Sequence, residues 1–471
     1  MTSTFQILLK ASLIFGLMTG AGMAQVTNDP FKTPIEAEKD IITIGFKEFA
    51  TLPDFEEEAA LAMDMELEPG GDRYFVNDLH GLLYTVSQSG DVTKYIDLNE
   101  EKWAVDLRWT VLERGFTGLA LHPDFNKSGA PGYGKIYMLL DSSNKRPTPD
   151  FTPEGGNDAH DTLLLEWTAK DASAPMYDGE APRELMRMEQ PFGNHNGGQI
   201  AFNPLATAGT AEYGTLYISN GDGGSGGDPM DMSQNMSSIF GKMLRIDPLG
   251  TNSKNGQYGI PADNPFVNEG DDVLKEIYAT GTRSPNRIAW DKKDGQMYVA
   301  DIGQNTVEEI SKINSGANLG WKPWEGSFRY VSRDGVEAAD TSTAPDMIFP
   351  VAEYDQKDPL FQRSVASSGI AVYRDGDVTQ LNDLIIFAEL ASGEIFYVSA
   401  DDQPNGGQDA IRRILLKTDG GNKTFLEVIQ AKNEAQGRDE AMRADIRLAH
   451  TTDGKLFLLN KRDGVIRLVT E

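Results

Sequence analysis

Gly214-Thr-Leu-Tyr-Ile-Ser-Asn220 opens on a turn residue, runs through apolar residues around an aromatic ring, and ends polar. The same form recurs as Gly71-Asp-Arg-Tyr-Phe-Val-Asn-Asp78, Gly134-Lys-Ile-Tyr-Met-Leu-Leu-Asp141, Gly295-Gln-Met-Tyr-Val-Ala-Asp301, Asp383-Leu-Ile-Ile-Phe-Ala-Glu389 and Gly454-Lys-Leu-Phe-Leu-Leu-Asn460. A second short apolar run often follows, as in Gly81-Leu-Leu-Tyr-Thr-Val86, Gly393-Glu-Ile-Phe-Tyr-Val398 and Gly464-Val-Ile-Arg-Leu-Val469. Short strands at regular spacing, divided by glycine and Asp-Gly turns, predict an all-β repeat architecture. Six recurrences predict a six-bladed β-propeller, in which radial repetition leaves only short, protected edges. The last strand, 465–469, is then expected to pair with an early strand, and Tyr217 and Tyr298 to lie in different sheets. A stack of β-sandwiches is the competing architecture. Long stretches between units, at 142–190, 249–275 and 322–365, are the loops that a rigid scaffold would devote to function.

The composition narrows the function. A chain of 471 residues with formal charge −29 repels nucleic acid and anionic membrane. It contains no cysteine, which excludes disulfides and thiolate metal sites. Residues 1–24 read as a signal peptide. Lys10 precedes the apolar run from Ala11 to Met18, and Gly22-Met-Ala24 resembles a cleavage site before Gln25. The run is too short for a good membrane span. The reading is an exported protein, periplasmic or secreted, with a polar mobile leader at 25–40 and a single propeller domain at 41–471.

The richest chemistry lies in Phe192-Gly-Asn-His195-Asn-Gly-Gly-Gln-Ile-Ala-Phe202 and the acidic loop Gly221-Asp-Gly-Gly-Ser-Gly-Gly-Asp-Pro229. A histidine on a glycine turn suits general-base work near neutral pH. A pair of polar turns capping strands is the plainer reading. His122, in His-Pro-Asp-Phe125, reads as a structural turn.

Further phrases fall in a fixed order: Glu113-Arg-Gly-Phe-Thr-Gly-Leu-Ala-Leu-His-Pro-Asp-Phe125, Gly241-Lys-Met-Leu-Arg-Ile-Asp-Pro248, Gly281-Thr-Arg-Ser-Pro-Asn-Arg287, Asp301-Ile-Gly-Gln-Asn-Thr-Val-Glu-Glu-Ile310 and Asn318-Leu-Gly-Trp321. In order and spacing they resemble the glucose/sorbosone dehydrogenase family, which includes soluble quinoprotein glucose dehydrogenase and aldose sugar dehydrogenases. The resemblance spans roughly residues 60–470 and is densest over 113–326. It implies a six-bladed propeller and oxidation of an aldose or related alcohol by pyrroloquinoline quinone (PQQ), with calcium and an electron acceptor that the sequence does not name.

The resemblance also implies roles. His195 is the base that takes the sugar hydroxyl proton. Asn194 stands where an aspartate is common, and Glu113 lies near the sugar hydroxyl. Arg283 polarises the quinone carbonyl, and Ser284 replaces an asparagine beside it. Carbonyls of Gly303 and Gln304 hold calcium, a hard cation that takes oxygen ligands. Asp222 and Asp228 are further candidate ligands, or else turn caps. Trp321 and Trp324 line a sugar cleft, or else fill the core. Arg443 and Arg447 are the cations for the quinone carboxylates, in altered spacing. A lysine that grips the quinone is replaced by Ala391. Ile302 and Leu319 also depart from the pattern. The Asp-Ile-Gly-Gln-Asn version looks like the propeller of hedgehog-interacting proteins too. The alternative is therefore a non-catalytic, calcium-containing propeller that binds a glycan or a protein partner.

Overall fold

Each recurring stretch becomes the second strand of its own four-stranded antiparallel sheet. These strands are Tyr74–Asp78, Lys135–Ser142, Leu216–Asn220, Met297–Asp301, Leu384–Glu389 and Leu456–Leu459. The computed structural model describes residues 25–471 apart from 111–112, 144–147, 158–159 and 362–364, so the expected signal peptide lies outside the described residues. Five sheets follow the chain in turn over 62–97, 116–190, 200–280, 285–355 and 367–418. Tyr217 and Tyr298 lie in different sheets.

The sixth sheet is completed out of sequence. Arg447–His450, Leu456–Leu459 and Val465–Thr470 are joined by Ile42–Thr51, which runs antiparallel to the last strand from Gly45↔Thr470 to Thr51↔Val465. Ile42↔Ile414 begins a short parallel pairing with Arg412–Thr418, which merges the fifth and sixth sheets at this edge. The pairing expected for the C-terminal strand is thus present.

Alternation explains why the strands read as unbroken apolar runs. In Tyr74–Asp78, Phe75 packs with Phe116 and Met138 of the second sheet. Its neighbours Tyr74 and Val76 pack with Phe457 and Ile466 of the sixth. Successive side chains leave opposite faces, and both faces are covered. Further clusters join the second sheet to the third (Leu139, Ile218), the third to the fourth (Met243, Val299), the fourth to the fifth (Tyr298, Phe387) and the fifth to the sixth (Ile386, Leu458). The result is a mostly β, propeller-like fold.

Two additions bear on function. Between Val307–Ile313 and Ala352–Asp355 the chain leaves the fourth sheet and builds a small sheet of Trp324–Glu325, Phe328–Ser332 and Gly335–Glu337. A helix, Phe425–Gln436, starts at a capping box between Thr424 and Glu427 and packs Phe425 and Ile429 into the core shared by the fifth and sixth sheets.

The 25–40 segment, expected as a mobile leader, is bonded to the body of the fold. Thr27 N donates to Val336 O at 2.8 Å, Ile35 N to Asp358 Oδ2 at 2.7 Å and Tyr397 Oη to Asp40 O at 2.6 Å. Ile35 is the physical reason, an apolar side chain in a polar run that is buried against the fourth and fifth sheets.

Candidate active site

The meander geometry gathers the site. In each sheet the start of the first strand pairs with the end of the second, as in Ile200↔Ile218 and Pro285↔Asp301. His195 precedes Ile200, Asp222 follows Asn220, Arg283 precedes Pro285 and Gly303 follows Asp301. All four therefore emerge at one end of the sheets.

His195 and Asp222 form the centre. The imidazole Nδ1 lies 2.6 Å from Asp222 Oδ1, and Trp321 Nε1 donates to Asp222 Oδ2 at 2.9 Å. His195 N donates to Glu113 Oε2 at 2.7 Å. The Asp222 amide donates to Arg283 O at 2.7 Å, and the Arg283 guanidinium lies 5.7 Å over the Trp321 ring. Glu113, His195, Asp222, Arg283 and Trp321 thus converge from separate loops. Burial would push the Asp222 carboxyl up, but the charge of His195, its hydrogen bond and Arg283 together hold it below the usual range. With Nδ1–H directed to that carboxylate, Nε2 carries the basic lone pair.

Asp222 takes the second of its two expected roles, in a hydrogen-bonded turn. It was a candidate calcium ligand, but both of its oxygens are taken, Oδ1 also accepting Gly224 N at 2.9 Å. Asp228 is likewise used as a turn cap, accepting Met232 N and Ser233 N at 2.9 Å each. Asn194 supplies no charge, yet the imidazole has a carboxylate partner from the next loop. Asn194 Oδ1 accepts Ser225 N at 3.0 Å, and a Cβ on Gly224 would lie 2.3 Å from it, so only glycine fits there.

Arg283 is fixed on all sides. Its Nη1 donates to Ile302 O at 2.7 Å, and its Nε and Nη2 both reach Gln304 Oε1 at 3.3 Å. The amides of Arg283 and Ser284 donate to the two oxygens of Asp301 at 2.9 and 2.7 Å.

Glu325 was not anticipated. Its Oε1 accepts the amides of Gln304, Asn305, Thr306 and Val307 at 2.8, 3.0, 2.8 and 3.0 Å. Each trans peptide points its carbonyl opposite to its N–H. The carbonyls of Gly303 and Gln304 therefore face away from Glu325. A Cβ at Gly303 would lie 1.6 Å from Val307 O. Nothing in the linear sequence distinguishes Glu325 from other acidic residues. Lys242 was also missed, although it lies in the Gly241-Lys-Met phrase. It is buried, donates to Met232 O, Ser233 O and Phe240 O at 2.9, 2.9 and 2.8 Å, and burial pushes its ammonium down to about 7.

The tryptophans differ from the expected sugar platform. Trp321 is 3 % exposed and orients Asp222; Trp324, also 3 % exposed, packs edge-on against Phe349. Arg443 Nε pairs with Asp445 Oδ1 at 2.6 Å, and Asp445 also binds Arg462. Arg447 is buried, donates to Ile446 O at 2.9 Å and is pushed down to about 9 by burial and by Arg287. His122 Nδ1 accepts Asp124 N at 3.0 Å, a turn, and burial holds the ring down to about 4. Among the described residues, no group of three His, Asp or Glu side chains forms a metal cluster.

With this geometry in view, the comparisons decide the family. Residues 60–468 match the Glucose / Sorbosone dehydrogenase family profile. The chain belongs to this family. Among its relatives by sequence, the HIPL1 protein of Arabidopsis thaliana is 29% identical over 382 residues, covering 73% of this chain and 53% of that protein. The chain thus spans about half the length of that relative. The apo soluble aldose sugar dehydrogenase of Escherichia coli superposes with a TM-score of 0.60 at 18% identity, covering 90% of this chain and 98% of that one. The PQQ-bound aldose sugar dehydrogenase of Streptomyces coelicolor gives 0.54 at 20% identity, covering 90% and 96%. At these identities the two structures speak for the fold. Among the described residues, no helix is long and apolar enough to cross a membrane.

Proposed function

We propose that this glucose/sorbosone dehydrogenase family member is an exported, PQQ-dependent dehydrogenase that oxidises an aldose sugar or a related alcohol. The observation that carries this reading is the chain Trp321–Asp222–His195 beside Arg283. We further propose that the six sheets are the blades of one propeller domain spanning 41–471; the apolar clusters linking each sheet to the next, and the sixth to the first, support it.

His195 Nε2 takes the proton of the substrate hydroxyl. Asp222 holds the ring by Nδ1 and stabilises the imidazolium that forms. Trp321 fixes the carboxylate so that it does not turn away. Arg283, anchored by Ile302 O and Gln304, presents a fixed positive charge where negative charge develops on the acceptor. When bound, PQQ supplies the hydride acceptor. Arg283 and Ser284 would hold its reducing edge, and Arg443 and Arg447 would be the cations for its carboxylates once freed from Asp445 and Ile446 O. The outward carbonyls of Gly303 and Gln304 are hard oxygen donors of the kind calcium takes.

A second reading has its own observation. The position of the missing lysine, Ala391, gives its amide to the buried carboxylate of Glu389 at 2.9 Å, so no cation stands there. Together with Ile302, Leu319 and the likeness to HIPL1, this favours a non-catalytic, calcium-containing propeller that binds a glycan or a protein. Titration of the apoprotein with PQQ and calcium, followed by dye-linked oxidation of a sugar panel, separates the two. Micromolar PQQ binding with sugar-dependent dye reduction is expected. Absence of PQQ binding at that concentration would reject the enzyme in favour of the binding module.

A further inference from the structure

At the opposite end of the first strands from His195 lies a cavity of about 390 Å³. It opens between the far ends of Ala62–Leu67, Ile200–Phe202, Pro285–Trp290 and Arg447–His450. Its volume falls in the range of small-molecule sites. Phe202, Tyr213 and Trp290 give it aromatic walls, and no lysine or arginine lines it.

Two carboxyl groups face this space from one strand, and they differ. Asp64 is compensated: Oδ2 accepts Gln199 Nε2 at 3.1 Å, Oδ1 accepts Met65 N at 2.9 Å, and Arg287 lies nearby. Among the described residues, Glu66 accepts one hydrogen bond, from Leu121 N to Oε2 at 3.0 Å. Glu66 is only partly buried, so its carboxyl remains accessible from the cavity while held by that one donor. His450 lines the same cavity, and its Nε2 is buried without a hydrogen-bond partner. Of the two, Glu66 is the group that a polar ligand in the cavity can reach.

We propose that this cavity is a second ligand site, taking a small organic amine whose ammonium sits on Glu66 and whose apolar body lies against Trp290 and Phe202. An ammonium would stabilise the ionised form of Glu66 against its surroundings, and aromatic faces favour cations as well as apolar groups. Burial and the neighbouring Asp64 raise the Glu66 carboxyl well above its usual range, as expected for an acid that lacks a cation. The strongly negative chain draws cations toward it. This site is independent of the dehydrogenase reading, because it requires neither PQQ nor His195.

Calorimetric titration of the full chain with benzylamine and with its neutral counterpart benzyl alcohol tests the site. A charge-assisted hydrogen bond predicts that the amine binds roughly 10- to 100-fold more tightly than the alcohol. Glu66→Gln should remove that preference while leaving alcohol binding unchanged. Ala206→Trp, on the loop that lines the mouth, should abolish binding of both probes, and it serves as the test should the Glu66 variant not fold. Equal affinity for the two probes, no binding at millimolar concentration, or amine binding that survives both substitutions would overturn the proposal.

Discussion

His195 holds a left-handed backbone at φ +58°, a conformation that L side chains seldom adopt. The Glu113 carboxylate grips its amide and Asp222 its ring. The orientation is thus set by two acids from two other loops. Under the dehydrogenase reading, His195→Ala should lower turnover by ~10²–10⁴-fold with the melting temperature nearly unchanged, as removal of a general base does. Asp222→Asn keeps the shape but removes the charge that stabilises imidazolium. Its expected mark is a displaced limb in the pH dependence of kcat/KM, beyond a fall in rate; an unmoved profile would show that Asp222 only props the loop. A second residue-scale prediction concerns Glu308. Burial pushes its carboxyl up to about 8, although Ser367 N and Gln356 Nε2 donate to it. The folded state therefore binds a proton that the unfolded chain releases near its ordinary value of 4.5. Between those two values stability falls as pH rises, by up to ~1.4 kcal/mol per pH unit from this group. Urea unfolding of wild type and Glu308→Gln across that range should give curves that diverge with this sign.

At the scale of the element, the loop after Met297–Asp301 is shaped by acids acting as backbone clamps. Asp301 takes two amides of the preceding loop, Glu309 takes Gly326 N at 2.7 Å, and Glu325 takes four consecutive amides. A carboxylate oxygen at the focus of several N–H groups does what a helix N-terminus does for an anion. The consequence is that the carbonyls of this loop are turned the other way, which makes the proposed calcium position depend on Glu325. Glu325→Ala leaves four amides, three of them buried, without this acceptor and should cost at least ~2 kcal/mol. Amide exchange at 304–307 should accelerate in that variant, and Glu325→Gln, which keeps an acceptor oxygen, should restore most of the protection. Unchanged exchange in the alanine variant would mean that the loop is held by something else.

For the whole molecule, the decisive contact is between the two ends of the chain. Ile42–Thr51 completes the sixth sheet and also touches the fifth, with Ile44 and Ala50 buried in two different clusters. Without that strand, Val465–Thr470 and Arg412–Thr418 each expose an unpaired edge. Deleting 25–51 removes the strand and the Ile35 anchor together. Burial of several apolar side chains at ~1.5–3 kcal/mol each puts the loss at roughly 5 kcal/mol or more. Urea denaturation should show a lower midpoint for the deleted chain. Supplying the 25–51 peptide in trans should shift it back, and identical midpoints would reject the closing role.

What the sequence by itself determined is the strand repeat and the family. Tyr74, Tyr137, Tyr217, Tyr298, Phe387 and Phe457 mark one strand in each of six sheets because an aromatic within a short, glycine-bounded apolar run has little choice but a doubly covered strand. His195, Glu113 and Arg283 were legible as candidates because their loops carry residue types and phrases that turns alone do not need. Only the tertiary structure decided partnership. Asp222 serves His195 instead of a metal, Trp321 serves Asp222 instead of a sugar, and Glu325 turns the 304–307 amides inward. The same holds for residues 25–40, which read as a polar leader until Ile35 finds a buried place between two sheets. Composition and spacing record which groups a chain owns. Which carboxylate meets which donor depends on loops brought together from residues far apart in sequence, and no local pattern encodes that distance.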